Sequence, residues 1–421
     1  MANEDKSTRY QRLRRRAAIA TGVLDAVLLA GVAVSGQSRA LADGAAAATS
    51  MTSAATVGFV LALVAVRTVL VLPLAYASEV VHERRYGRAL VALAQWCGAY
   101  LWRAIVLAAV LAGAALVIQA AAWWSPANWW AWASGVLAAV LISGAALVPA
   151  LVVRSASEVS PIQRPGLAAR LTELALRAGA GGVPVFEWKV GRRATAVTAV
   201  LAGIGPSRRI LVADTVLDTH TDDEVEVIVA HELAHYRRGD SWWSAAMAAG
   251  AAAAGLYASA RLLPTVAGAL AISGPSDTAA LPLVALVCGG VALVLSPVLN
   301  AVSRAQERRA DRDALAWTRN ASALVRTLKR LSAAHLAEDR PPLLAHALFH
   351  RHPAAAERIA EAEKWANAVP QTEGPGPVAW SLEPGTANPS RGAQAAGPGP
   401  SVCGTAFAHF SASAIRSAAA G

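Results

Sequence analysis

The sequence predicts a mainly α, multi-span helical membrane protein with a domain on the cytosolic side, and three observations support this. Of 421 residues, 55% are hydrophobic and only 16% charged, too little charge for a soluble chain of this length. Apolar segments of about twenty residues, the length that crosses a hydrocarbon core, recur along roughly the first three hundred positions. Basic residues gather between them on alternating sides, as the positive-inside rule requires.

Residues 1–16, with Lys6, Arg9, Arg12, Arg14, Arg15 and Arg16, form a basic N-terminus expected on the cytosolic side. About four spans are expected in residues 17–153, from Ala17 to Gly36, Ala54 to Ala77, Ala104 to Trp123 and Trp130 to Val153. The loop Gln37 to Ser53 has Arg39 as its one base, Arg84, Arg85 and Arg88 cluster before the third span, and the turn Trp123 to Trp130 has no Lys or Arg. The Trp pairs of that turn suit the headgroup level of the far leaflet. Arg154, Arg164 and Arg170 return the chain to the cytosol. Two further spans, from about Trp243 to Ala260 or beyond and from Thr278 to Val298, interrupt the domain of residues 154–365 at 243–299. The chain from Ser303 onward is then cytosolic again, after about six crossings. From residue 366 Pro, Gly, Ala and Ser dominate, and this tail is expected to be disordered.

Two other readings of the composition are weaker. A secretory signal peptide also begins with a basic stretch before an apolar run, but this run exceeds a usual h-region and more spans follow. A net charge of +10 raises nucleic acid as a partner; the arginines instead cluster at membrane edges without an aromatic-basic stripe, which favours a lipid bilayer with anionic headgroups and no nucleic acid. Cys97, Cys288 and Cys403 form neither a disulfide framework nor a CxxC site. Arg67 is expected to face the bundle interior or a watery cavity, and Arg103 to snorkel.

His231-Glu232-Leu233-Ala234-His235 carries chemistry. Positions four apart on a helix lie about 40° from each other around the axis, so His231 and His235 can share one metal while Glu232 reaches a water beside it. Thr221 and Glu224 read as a capping box, Asp222 and Asp223 place acid on the first turn, and Gly239 offers a stop after Arg237 and Arg238. A zinc hydrolase needs three protein ligands and an open position. The helical stretch from Ser303 to Asp311 offers Glu307 as a third ligand and Asp311, on the same face, as acceptor for the N–H of a ligating histidine. Taken alone, these two acids in an Arg-rich helix are more often a solvated salt-bridge face.

The combination resembles the membrane metallopeptidases of the CAAX prenyl protease and HtpX type, the forty-eighth family in the usual peptidase numbering. Ser303, Arg304, Glu307, Ala310 and Asp311 match the family's SRxxExxAD motif; His352-Pro353 with Arg358-Ile359 matches its HPxxxxRI element. Gly203 to Thr215 is similar to the strand and turn before its catalytic helix, and the segment Glu79 to Gly87 and the Trp-rich turn are weaker matches to the CAAX protease branch. Where the family commonly has Asn-Ala beside the substrate, this chain has Thr198-Ala199. The resemblance implies a cytosolic α+β zincin-like (gluzincin) catalytic domain holding one Zn2+ per chain through His231, His235 and Glu307, with Glu232 as general base. It implies that Asp311 orients a ligand or donates a proton, and that His352 or Arg358 assists an oxyanion, although a structural salt bridge suits Arg358 equally well. The small and β-branched residues from Thr195 to Leu201 suit an edge strand that pairs with an extended substrate.

The function expected is that of a zinc-dependent endopeptidase of the cytoplasmic membrane, acting at the cytosolic face on peptide or membrane-protein substrates. A sensor metalloprotease that cleaves one regulator would want a ligand-binding extracytoplasmic domain, for which the loops are too short. A non-catalytic scaffold of the same fold would not be expected to retain Glu232.

Overall fold

The computed structural model describes residues 5–87, 92–155, 159–181, 183–189, 199–202 and 209–368. Its helices follow the apolar segments: α1 (Lys6–Val34), α3 (Thr52–Tyr76), α5 (Leu93–Trp124), α6 (Trp129–Ser155), α10 (Asp240–Val266) and α11 (Leu281–Thr318). All but α6 are long and apolar enough to cross a membrane over their described residues, and α6 is apolar over Trp129–Ala145. Val27, Val69, Val110 and Val294 are 62%, 68%, 62% and 75% exposed, as side chains facing lipid would be. Trp123 and Trp124 stand out at the α5–α6 turn, 86% and 79% exposed, where an aromatic belt is expected.

Three expectations about this region are corrected. The segment after the first span is not a plain loop: α2 (Gln37–Ala47) is helical, as its alanine content favours, and it docks where Ser38 Oγ donates to the Ala279 carbonyl (2.7 Å) and Arg39 pairs with Asp277. The second span does not stop near Ala77 but runs through a π turn, Ala77–Val81, into α4 (His82–Arg85). Arg103 does not snorkel; its guanidinium forms a fork on Glu79, Nη1 to Oε1 at 2.9 Å and Nη2 to Oε2 at 2.6 Å, and Trp96 Nε1 donates to the same carboxylate at 3.0 Å. Arg67 faces inward as expected, paired with Asp25 of α1 at 2.8 Å. Both arginines have a carboxylate partner because an unpaired charge at this depth costs several kcal/mol, on the order of 2.5–3.5 on insertion scales.

The second domain is a small sheet packed on helices. Its described strands are β1 (Val159–Pro161), β2 (Val185–Trp188), β3 (Ala199–Ala202) and β4 (Arg209–Ala213), in the order β1-β2-β4-β3. β2 and β4 are parallel and the outer pairings antiparallel, which leaves β3 at an edge of this sheet, as expected for the segment ending at Leu201. Thr195, Thr198 and Gly203 to Arg208 lie outside the described residues. α7 (Pro165–Arg177) joins β1 to β2, α8 (Asp214–Thr219) and α9 (Asp222–Arg238) follow β4, and after α11 come α12 (Ala321–His335), α13 (Leu343–Phe349) and α14 (Ala355–Ala368). α14 passes position 366, and the expected tail beyond it lies outside the described residues.

α9 is the centre of this domain. Val225, Val229 and Leu233 repeat every four residues and bury against Ile210 and Val212 of β4 and Leu167, Leu171 and Leu174 of α7. On another face Val227 packs with Leu315, Leu324 and Leu328. The capping box forms as predicted: Glu224 N donates to Thr221 Oγ1 and Thr221 N donates to Glu224 Oε2.

α10 and α11 form an antiparallel apolar hairpin. They approach closely at Gly255, where an added Cβ would lie 2.9 Å from Cys288 Cα. The neighbour there is backbone and cannot rotate aside. Gly255→Val is therefore expected to wedge the hairpin apart and cost about 1–3 kcal/mol, read as a lower Tm of the purified chain in detergent, whereas Gly250→Val, with nothing within 4 Å of the new Cβ, should leave Tm nearly unchanged.

Candidate metal centre

The site forms where α9 meets the second half of α11. A 38-residue α11 is about 57 Å long at 1.5 Å per residue, so it crosses the apolar layer and continues into the second domain. Ala310 and Ala314 are fully buried, and such small side chains let α11 approach α9 closely.

His231, His235 and Glu307 each offer a ligand atom, and these atoms lie within 4.8 Å of one another. In the arrangement present, His231 Nε2 and His235 Nε2 are 3.2 Å apart, and the two oxygens of Glu307 stand 3.4 and 3.5 Å from them. Tetrahedral zinc with bonds of about 2.0–2.1 Å would place its ligands roughly 3.3–3.4 Å apart. The donor set fits zinc on that ground and on a second one. Asp240 Oδ2 lies 2.7 Å from His235 Nδ1 and Asp311 Oδ1 lies 3.0 Å from His231 Nδ1. The Asp240 contact is a hydrogen bond, whereas that to Asp311 is short but oblique. Both carboxylates favour the tautomer whose lone pair is on Nε2, which would let two imidazole lone pairs and a carboxylate converge on a bound metal.

The protein's charges show the same demand for a cation. Burial opposes charge on His235, but hydrogen bonds to Asp240 and Glu307 outweigh it and raise its pKa to about 10. His231 is likewise raised against burial by Asp311 and Glu307. Burial would pull Glu307 up, yet His352 and the two site histidines hold it well below the usual carboxylate range. Asp311 is also held low despite burial, chiefly by Arg358.

The predicted residues divide as follows. His231, His235, Glu307 and Asp311 are brought together. Glu232 is half-buried, and its charge acts on both His235 and Arg358. Arg358 forks onto Asp311, Nε to Oδ2 at 2.7 Å and Nη2 to Oδ1 at 2.6 Å, which is the salt-bridge alternative for this residue. His352 reaches Glu307 Oε1 with Nδ1 at 3.1 Å from a side chain 42% exposed, at the open side of the site. His350 is turned elsewhere, its ring 5.8 Å from that of His346.

Asp240 was missed. Gly239 adopts the left-handed conformation (φ 64°), which ends α9 and starts α10 at the next residue, so Asp240 turns back onto His235. The signal was present in the helix stop predicted at Gly239, since an acid immediately after a tight turn lies within reach of the last turn of α9.

Residues 161–366 match the model of Peptidase family M48, and residues 2–153 match that of the CAAX prenyl protease N-terminal region with five membrane helices. The chain is 28% identical over 349 residues to the uncharacterized metalloprotease YhfN of Bacillus subtilis, covering 82% of each. It is 27% identical over 229 residues to a protease HtpX homolog of Campylobacter curvus, covering 50% of this chain and 78% of that one. The crystal structure of S. mikatae Ste24p superposes with a TM-score of 0.71 at 18% identity, over 85% of this chain and 88% of that one, which is a likeness of fold. With both halves of the chain matched in order and the three donors assembled, the protein belongs to peptidase family M48 and is a multi-pass membrane metallopeptidase.

Proposed function

We propose that the chain is a zinc-dependent endopeptidase that binds one Zn2+ through His231, His235 and Glu307 and cleaves peptide or membrane-protein substrates at the cytosolic face of the cytoplasmic membrane. The observation that carries this is the convergence of the three donor atoms at 3.2–3.5 Å, with Asp240 and Asp311 behind the imidazoles. The side of the membrane follows from charge: the six bases before Ala17 and the arginines after the fourth span favour the cytosol.

Zinc in this position supplies Lewis acidity, polarising a carbonyl oxygen and making water nucleophilic near neutral pH. Glu232 accepts the proton of the attacking water and returns it to the leaving amine nitrogen as the C–N bond breaks. Asp240 and Asp311 hold the imidazoles in register. Asp311 acts as an acceptor rather than a proton donor, because Arg358 keeps it ionised. With two of its donor nitrogens on Asp311, Arg358 serves position, and His352 at the open side is the better placed of the two to donate to an oxyanion. β3, at the sheet edge beside α9, offers backbone for pairing with an extended peptide.

Glu232→Gln is expected to lower turnover of a casein or peptide substrate by roughly 10²–10⁴-fold while zinc remains near one per chain by elemental analysis; activity that survives the substitution sinks the assignment. Asp240→Ala removes only the hydrogen-bond partner of a ligand. Chelator competition should show zinc held about 10–100-fold more weakly, and an unchanged affinity would mean that Asp240 has no part in the centre.

A further inference from the structure

α13 and its flanks lie outside the metal centre yet show an unusual surface. Leu343 and Leu344 are 88% and 73% exposed and Phe349 43%, while Ala345 is buried against the domain. Exposed Arg340 and Arg351 bracket them. A run of large apolar side chains in water is unfavourable, so the level of α13 relative to the bilayer decides what covers it.

Three observations give that level. Asn300 Nδ2 donates to the carbonyls of Ala347 (2.9 Å) and Leu348 (2.8 Å), and Arg304 Nη1 to those of His346 (3.0 Å) and His350 (2.7 Å). α13 is thus clamped to the stretch of α11 where the apolar sequence ends. In the α10–α11 hairpin Gly255 lies beside Cys288, and Gln306 reaches the Asp240 carbonyl, so Trp243, 64% exposed, stands level with that same stretch. An exposed Trp at a helix end marks the headgroup plane. Lastly, Arg15, two residues before the apolar run of α1, pairs with Glu338 at 2.9 Å just ahead of α13. α11 and α1, which hold this segment, and Trp243 of α10, level with the same stretch of α11, therefore put α13 at the membrane–water boundary.

We infer that α13 is an in-plane membrane contact of the peptidase domain: Leu343, Leu344 and Phe349 seat among the headgroups and upper acyl chains of the adjoining leaflet, and Arg340 and Arg351 lie on anionic lipid phosphates. The partner is the anionic leaflet itself, continuous with the bilayer the spanning helices occupy. This rests on the spanning helices and not on the peptidase chemistry. The contact bears on the site because His352, three residues beyond α13, touches Glu307.

The test places a nitroxide on Leu344→Cys in the full chain, with Cys97, Cys288 and Cys403 replaced by Ala, in phosphatidylcholine–phosphatidylglycerol vesicles. The label should be reached by oxygen and shielded from a nickel chelate, as a label on Val294→Cys in the apolar part of α11 is, and unlike one on Glu173→Cys of α7. A label at 344 as open to the chelate as one at 173 overturns the proposal and leaves the face to a protein or peptide partner. If the label at 294 is itself open, the spanning assignment of α11 fails, and the proposal with it. Hydrogen exchange of the unaltered chain provides a measurement free of substitutions: residues 340–351 should exchange several-fold more slowly in nanodiscs containing phosphatidylglycerol than in phosphatidylcholine alone, with residues 165–177 unchanged. Equal exchange in the two lipids overturns the contact of Arg340 and Arg351 with anionic phosphates.

Discussion

Two imidazole nitrogens 3.2 Å apart, faced by a carboxylate at 3.4 and 3.5 Å, stay together only around positive charge, and much of this chain is arranged to meet that requirement. Glu307, Asp311, Asp240 and Glu232 bring four carboxylates to one region, and half-buried Arg358 sets a permanent positive charge against Asp311 and Glu307. With Arg358 placed on Asp311, the two Nε2 atoms and Glu307 still face one another, and a dication held by them would satisfy three donors at once, which a proton shared between two imidazoles cannot do.

Such a centre requires two helices to be held at fixed separation, and the connection between them runs through the membrane. α9 is fixed by its apolar faces against β4, α7 and α12; α11 is fixed by the hairpin with α10. The hairpin starts at Gly239, whose left-handed backbone also delivers Asp240 to His235. One residue thus ends α9, supplies the turn into the first of two apolar helices and positions the acceptor that orients His235. The apolar helices between the two halves of the site are therefore part of its geometry as well as an anchor.

Much of this was legible in the sequence because its determinants are local. HExxH, the capping box and SRxxExxAD depend on spacing along single helices, and the apolar segments depend on composition. What escaped was set by tertiary partners. Arg103 looks like a snorkelling residue until Glu79, twenty-four positions earlier, is brought beside it by the π turn. α2 is helical through its run of alanines, a local signal that a charge count along the segment does not carry. Asp240 needed the conformation of Gly239, and Arg358 had two plausible roles until its fork on Asp311 was seen.

The N-terminal helix shows why the two matched regions work as one body. α12 ends at Leu336 in a left-handed conformation (φ 47°), and a helix end leaves carbonyls without partners. Gln11 of α1 satisfies two of them, donating to His335 O at 3.2 Å and Leu336 O at 2.8 Å, and Arg15 closes on the nearly buried Glu338. Tyr10, stacked on His82 at 4.9 Å and hydrogen-bonded to Glu83, pins the same turn of α1 to the end of the second span. α12 packs on α14, α14 carries Arg358, and Arg358 holds Asp311 behind His231. A continuous series of contacts thus leads from the first membrane helix to His231. The alignment of His231 depends on packing across the whole chain, and a fragment lacking α1 would lose the partners that close the end of α12.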